Sequence, residues 1–121
     1  MKYIAHKDGE REQTIKEHLK GTAILAGQFA AKFGSEDWGY CGGMLHDIGK
    51  YSKEFQKKIK ENINTMVDHA TAGVQLCKEI NLLVLSYCIA GHHAGLPNYG
   101  NTAERSSLCG RYRKKICNYE A

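Results

Sequence analysis

The amino-acid sequence predicts an all-α domain, a bundle of about five or six helices. Apolar residues recur at steps of three and four, which is the spacing of one helix face. Serine, threonine and aspartate stand where several of these patterns begin, as helix N-caps do. The chain holds only one proline among 121 residues. With no internal repeat or low-complexity linker, a single domain covering residues 1–121 is expected.

The first predicted helix begins at Thr14. Met1 to Ala5 is expected to be an extended lead-in and residues 7–13 a polar loop. Thr14 and Glu17 match a capping box, and apolar positions then recur as far as Gly34, a residue typical of helix ends. His18 lies at the margin of this apolar face, so its ring can point towards an internal polar site.

A second helix is predicted from the N-cap Ser35 to the doublet His46-Asp47. Three glycines interrupt it: Gly39, Gly42 and Gly43. Each costs about 1 kcal/mol of helix propensity relative to alanine, so we expect them to allow close approach of a neighbouring helix. Gly49 is expected to end this segment in the left-handed conformation.

The later elements are read from similar signals. Ser52 can cap a short helix with a lysine-rich outer face, and residues 62–65 form a loop. Asp68 is the expected N-cap of a helix whose first residue is His69. Leu82 to His93 is the most apolar segment and is predicted to be the central buried helix. The polar tail from Asn98 carries a basic cluster: Arg111, Arg113, Lys114 and Lys115.

Composition and charge bear on the partner, the redox compartment and the membrane location that can be expected. The net charge of +4 suits a polyanionic partner but is too small to establish one. The five cysteines are odd in number and form no Cys-x-x-Cys pair, which favours free thiols in a reducing compartment. The longest apolar run, residues 82–90, contains a serine and is far shorter than a membrane span. A cytoplasmic protein without a membrane partner is expected.

Five histidines and one aspartate fall at predicted helix ends or margins, where they can face one site. They are His18, His46, Asp47, His69, His92 and His93. Imidazole nitrogen and carboxylate oxygen suit manganese, iron, cobalt or nickel better than magnesium, which prefers an all-oxygen shell. Buried ring nitrogens without partners are costly, and a shared divalent metal would satisfy most of them. His6 is expected to be exposed and outside this set.

Six segments carry a resemblance to a known family. They are Tyr3-Ile4-Ala5-His6, Lys16-Glu17-His18-Leu19 with Thr22-Ala23, Glu36-Asp37-Trp38-Gly39-Tyr40, His46-Asp47-Ile48-Gly49-Lys50-Tyr51-Ser52, Asp68-His69-Ala70-Thr71-Ala72-Gly73, and Gly91-His92-His93-Ala94-Gly95-Leu96-Pro97. Leu108-Cys109-Gly110-Arg111 continues the likeness. The chain resembles the HD superfamily of metal-dependent phosphohydrolases, and most closely the HD nuclease domain of the CRISPR-associated helicase-nuclease of type I systems.

This resemblance implies a two-metal site that hydrolyses phosphodiester bonds, chiefly of single-stranded DNA, with a metal-activated water. His18, His46 and Asp47 would hold one metal, and Asp47 would bridge to a second metal held by His69, His92 and His93. Asp47 and Lys50 are the predicted catalytic residues, Lys50 neutralising charge on the phosphate; an exposed lysine without a role is the alternative. A fused or associated helicase and a CRISPR surveillance complex are the implied partners.

One departure from the family pattern concerns the first metal. The family has a further aspartate downstream, whereas no aspartate follows Asp68 here and only Glu104 and Glu120 remain as acids after His93. We therefore expect the chain to be an N-terminal part of the nuclease domain, with weak or absent catalysis. The second metal, served by Asp47 and three histidines, is expected to be the better occupied.

Three alternatives to a nuclease are compatible with the same residues. An HD phosphohydrolase acting on a nucleotide or cyclic nucleotide would need a closed pocket, where a nuclease needs an open basic groove. A non-catalytic HD-fold module that binds a partner would explain the missing aspartate. A helical domain whose histidines are only structural is a further alternative.

Overall fold

The computed structural model describes residues 2–119 and is mainly helical. Within these residues, an N-terminal hairpin precedes six α-helices and one short 3₁₀ helix. The elements are β1 Ile4–Asp8, β2 Arg11–Thr14, α1 Ile15–Ala31, α2 Glu36–Leu45, the 3₁₀ helix Ile48–Tyr51, α3 Lys53–Lys60, α4 Thr71–Glu79, α5 Leu83–Gly91 and α6 Leu108–Arg113. The predicted helical bundle is confirmed.

The hairpin corrects the prediction for residues 7–13. Strands β1 and β2 pair antiparallel, with Asp8 opposite Arg11, where a polar loop was expected. Gly9 occupies the tight turn with a φ of +61°, a conformation that glycine adopts without strain. Charged residues on an exposed two-stranded ribbon carry little hydrophobic periodicity, so the pattern did not reveal the second strand.

Helices α1 and α2 pack closely because glycines lie between them. A Cβ atom on Gly39 would lie 2.3 Å from the carbonyl oxygen of Ala26, and one on Gly43 would lie 2.4 Å from the Cα of Ala23. The prediction of close helix approach is therefore confirmed. The capping box is also present: the Glu17 amide donates to the Thr14 hydroxyl at 3.2 Å and the Thr14 amide to the Glu17 carboxylate at 2.9 Å.

One helix-end prediction was wrong. Gly49 lies inside the 3₁₀ helix and does not have a left-handed conformation. A glycine is needed there because a Cβ atom would lie 2.4 Å from the His69 carbonyl oxygen. Ser35 occupies the N-cap position of α2 as predicted, although its side chain makes no capping hydrogen bond. The Ser52 side chain does cap α3, accepting from the Phe55 amide at 3.2 Å as predicted.

Helix α4 begins two residues later than predicted. Asp68 does cap it, because its carboxylate accepts from the amides of Ala70 at 3.2 Å and Thr71 at 3.0 Å. His69 therefore lies in the turn before the helix. This position leaves the His69 ring free to point away from the helix axis.

Helix α5 is shorter and less buried than predicted. It spans Leu83–Gly91, and Leu83 and Val84 are about half exposed, whereas Leu85 and Ile89 are buried. The tail is not merely polar, since α6 places Leu108 in the core that α4 and α5 form. Across residues 2–119, no helix has the length and apolar character needed to cross a membrane, and the five cysteines are free thiols.

Candidate metal centre

The carboxylate of Asp47 is the centre of the site. Asp47 lies in the turn between α2 and the 3₁₀ helix and is only 4% exposed. Its Oδ2 atom lies 2.9 Å from His18 Nε2 and 3.3 Å from His46 Nε2. Its Oδ1 atom faces three other rings, with Nε2 distances of 3.1 Å to His92, 3.5 Å to His69 and 3.8 Å to His93. Each carboxylate oxygen thus serves a separate histidine group.

The first group, His18 and His46, is held by the α1–α2 packing. The two Nε2 atoms are 3.2 Å apart. The Nδ1 atom of His46 lies 2.6 Å from the carbonyl oxygen of Gly43, one of the glycines at the close approach of the two helices. The same packing that requires a glycine at position 43 therefore fixes the orientation of the His46 ring.

The second group, His69, His92 and His93, comes from chain segments at helix ends. His69 precedes α4, while His92 and His93 follow α5. The Nε2 atoms of His69 and His93 are 3.0 Å apart, and His92 Nδ1 lies 2.6 Å from the Ile89 carbonyl oxygen. The second group is the more exposed, since the His93 side chain is 55% accessible.

Among residues 2–119, two triads have ligand atoms close enough to share one ion. His18, His46 and Asp47 form one, and Asp47, His69 and His93 form the other; within each, the atoms lie within 4.8 Å of one another. His92 belongs to neither triad, although its Nε2 is the ring nitrogen nearest to Asp47 Oδ1. The structure thus brings together all six residues that the sequence marked as ligands.

The hydrogen-bond chemistry of these rings fits a cation. In His46 and His92 the short contact of Nδ1 with a backbone carbonyl requires that Nδ1 carries a proton. In a neutral ring Nε2 then has a lone pair, and it faces a carboxylate oxygen that is also an acceptor. A cation between them removes this conflict, and an Nδ1 bond to a carbonyl is the usual way in which metal-binding histidines are oriented.

The ionisation of these groups follows from the same contacts. Burial alone would raise the pKa of Asp47, but hydrogen bonds from His18, His46 and His92, with the charge of Lys50, hold it well below its ordinary value. Burial lowers the pKa of His69 and of His93 and favours the neutral rings that bind metals. The hydrogen bond with Asp47 raises the pKa of His92, which favours a protonated ring when no metal is bound.

Lys50 is buried beside Asp47, so it is not the exposed lysine that was considered as the alternative. It is 4% exposed, and its Nζ lies 3.3 Å from Asp47 Oδ2 and donates to the Ala5 carbonyl oxygen at 3.3 Å. These contacts fix the carboxylate on the side of the first group. A role of Lys50 towards a phosphate stays a prediction.

Sequence reasoning missed the residues that support each group. The Gln56 side chain bonds the Ile4 amide at 2.8 Å, the Ile4 carbonyl at 2.9 Å and the Lys50 carbonyl at 2.9 Å, joining the hairpin to the 3₁₀ helix. Arg111 donates to the Thr71 hydroxyl at 3.0 Å and the Ala90 carbonyl at 2.7 Å. A glutamine in a lysine-rich helix does not indicate a buried, hydrogen-bonded side chain. Arg111 belongs to the basic cluster of the tail, a pattern that does not indicate a supporting role.

Two further residues lie outside both triads. His6 is exposed as expected, yet its ring packs edge-on against His18 with the centroids 4.8 Å apart. Glu104 accepts a hydrogen bond from Asn101 at 3.1 Å and belongs to neither triad. Glu120, the other acid after His93, lies outside the described residues.

The fold and the site together define a class: a small helical domain in which histidines from four segments meet one shared carboxylate. Comparison with known families gives the same class, because the HD domain matches residues 15–121. The chain belongs to the HD domain family, whose members are metal-dependent phosphohydrolases. A search of curated proteins found no match.

Proposed function

We propose that this domain is a metal-dependent nuclease that hydrolyses phosphodiester bonds, chiefly in single-stranded DNA. The observation that supports this proposal is that the two carboxylate oxygens of Asp47 face different histidines. One oxygen faces His18 and His46, and the other faces His69, His92 and His93. A carboxylate shared in this way suits two divalent cations about 4 Å apart, the spacing used for in-line displacement at phosphorus.

The residues of the chain have distinct tasks in this proposal. Asp47 holds both halves of the site together, while Lys50 fixes the Oδ2 atom by a buried ion pair. The backbone carbonyls of Gly43 and Ile89 hold the protons on Nδ1 of His46 and His92, so that both Nε2 atoms face inward. Metals bound here would supply Lewis-acid polarisation of the phosphate and an activated water. Ligands of mixed nitrogen and oxygen type favour manganese, iron, cobalt or nickel.

A role in CRISPR interference, with a fused or associated helicase and a surveillance complex, is the narrower form of the proposal. It depends on the resemblance of the segments around His18, His46, His69 and His92 to the type I nuclease domain. This narrower form therefore predicts a partner that delivers single-stranded DNA to the site.

The test is reconstitution of the metal-free protein with manganese or iron under anaerobic conditions, followed by an assay on single-stranded DNA. We expect cleavage that is weak, because the downstream aspartate is missing, and that His18→Ala and His69→Ala each abolish; His18→Ala should lose the first metal and His69→Ala should weaken the second. Arg11→Gln, an exposed change on the hairpin, is the control. Full turnover that is unchanged in Glu104→Ala would contradict the expectation that a downstream carboxylate is needed.

Two other results would favour the alternatives. Hydrolysis of a nucleotide or cyclic nucleotide without cleavage of single-stranded DNA would favour the small-molecule phosphohydrolase. Two bound metals with no turnover on either substrate would favour a binding module. Each result contradicts the nuclease proposal for this chain.

A further inference from the structure

A groove of about 1190 Å³ adjoins the second histidine group. Its lining includes His69 and His93, together with residues of the segment before α6, of α6 itself and of the chain after it. The groove therefore lies on the side of the second group, whose rings face Asp47 Oδ1. A molecule lying in it would reach the second group and not the hairpin side.

The charged side chains in the lining of this groove are mainly basic. Five cations line it without a salt bridge among the described residues: Lys58, Arg105, Arg111, Arg113 and Lys115. Asp68, the single acidic residue in the lining, is already bonded by Lys114 and by the Thr71 hydroxyl. The free charge in the groove is thus positive, as a site for a polyanion requires.

The walls offer little for reading bases. Apart from the two histidines, the lining contains no aromatic ring, whereas proteins that grip single strands through bases present aromatic platforms. The apolar lining consists of Met66, Val67 and small residues such as Ala70, Ala90 and Ala94. A nucleic acid in this groove would be bound through its phosphates, which carry no sequence information.

The size of the groove also bears on its ligand. Pockets for small molecules are commonly about 300–1,000 Å³ and enclose most of the ligand. This groove is larger, and Arg105, Arg113 and Lys115 on its walls are exposed to solvent. A single nucleotide bound at the histidines would leave these separate cations without phosphates.

We propose that this groove binds the sugar-phosphate backbone of a single DNA strand on the side of the second histidine group, with Arg105, Arg113 and Lys115 contacting successive phosphates. The proposal rests on the proposed nuclease function and deepens it. It implies that the strand enters or leaves over His93, and that affinity does not depend on base sequence.

The test measures binding of a fluorescent oligodeoxythymidylate to the full chain in chelator, where cleavage cannot occur, at salt concentrations from about 50 to about 200 mM. The variant combines Arg105→Gln, Arg113→Gln and Lys115→Gln. Each lost contact should lower the slope of log affinity against log salt by about 0.7 in magnitude, so the triple change removes about 2. We expect an affinity loss of about tenfold or more at the lowest salt.

The matched control combines Lys16→Gln, Lys20→Gln and Lys32→Gln, which removes the same charge from exposed positions that do not line the groove. It should change affinity less than about twofold, because only general attraction is altered. Manganese content per chain should be the same in both variants, which shows that the site is intact. An oligodeoxyadenylate should bind the unaltered chain as tightly as the oligodeoxythymidylate does.

Equal losses in the two triple variants, or no loss in the groove variant, would overturn the groove assignment. If single-stranded DNA is still cleaved in that case, the nuclease function stands and only the groove is wrong. If the unaltered chain neither binds nor cleaves single-stranded DNA, both proposals fail. A strong preference for one base would contradict backbone recognition.

Discussion

The two histidine groups share one carboxylate but differ in how they are held. The side chains of His18 and His46 are 16% and 14% exposed, whereas exposure in the second group rises to 55% at His93. The first group depends on helix packing and the second on chain segments that follow or precede helices. This difference suggests that the first group is a rigid support and the second is the side open to substrate.

The contacts behind each group follow the same division. Behind the first group, Lys50 and Gln56 connect the carboxylate, the 3₁₀ helix and the hairpin through buried hydrogen bonds. Behind the second, Arg111 joins Thr71 at the start of α4 to Ala90 near the end of α5. A change in one of these supporting residues should therefore weaken metal binding by one group and not by the other, whereas a change in Asp47 should abolish metal binding by both.

The largest effect is expected from Asp47→Asn, because an amide cannot supply two anionic oxygens to two cations. The bound manganese should be lost, and any DNA cleavage should disappear. Elemental analysis after reconstitution measures this directly. Asp37→Asn, an exposed carboxylate in the first turn of α2, is the control and should keep its metal. Retention of one ion in Asp47→Asn would show that one group binds without the shared carboxylate.

Arg111→Met should destabilise the protein and weaken the second group selectively. The change leaves the Ala90 carbonyl and the Thr71 hydroxyl without a charged donor, which costs about 1.5–3 kcal/mol. Urea unfolding measures the free energy, and manganese titration measures the affinity of each group. Arg113→Met, exposed on the same helix, should be nearly neutral in stability. Equal weakening of both groups by Arg111→Met would mean that the two halves are not supported separately.

Gln56→Leu should act on the first group instead. It removes the partners of the Ile4 amide and carbonyl and of the Lys50 carbonyl, at a cost of about 1–3 kcal/mol for each buried group left unpaired. We expect the hairpin to loosen and the first metal to bind less tightly, with the second unchanged. Amide hydrogen exchange at Ile4 reports the loosening, and Gln75→Leu, which lies on α4, serves as the comparison. Unchanged exchange at Ile4 would contradict this account of the hairpin.

The smallest expected effect is the pH dependence of stability that Asp68 contributes. Its bonds with Lys114 and Thr71 lower the pKa of Asp68 below its ordinary value of 3.8, although burial opposes this. Stability from this group is therefore present above the unfolded pKa and is lost as the pH falls below it. Metal-free Asp68→Asn should lose less stability than the unaltered protein between neutral and acidic pH in urea titrations. Parallel curves for the two proteins would contradict this contribution.

Much of the fold could be read from local signals. The capping box at Thr14, the Ser52 cap and the Asp68 cap are local hydrogen-bond patterns, and all three are present. The hairpin and the exposed face of α5 were not predicted correctly. The second strand of the hairpin is exposed and polar, and the exposure of Leu83 and Val84 depends on which neighbours α5 packs against.

The sequence by itself determined the helical class, the glycines of the α1–α2 contact and the five histidines that surround Asp47, because residue chemistry and helix periodicity are local properties. Only the tertiary structure decided which oxygen of Asp47 faces which histidines, that Lys50 is buried, and that Arg111 supports α4 and α5. These facts depend on contacts between residues far apart in the chain. Their geometry exists only when the helices are packed together.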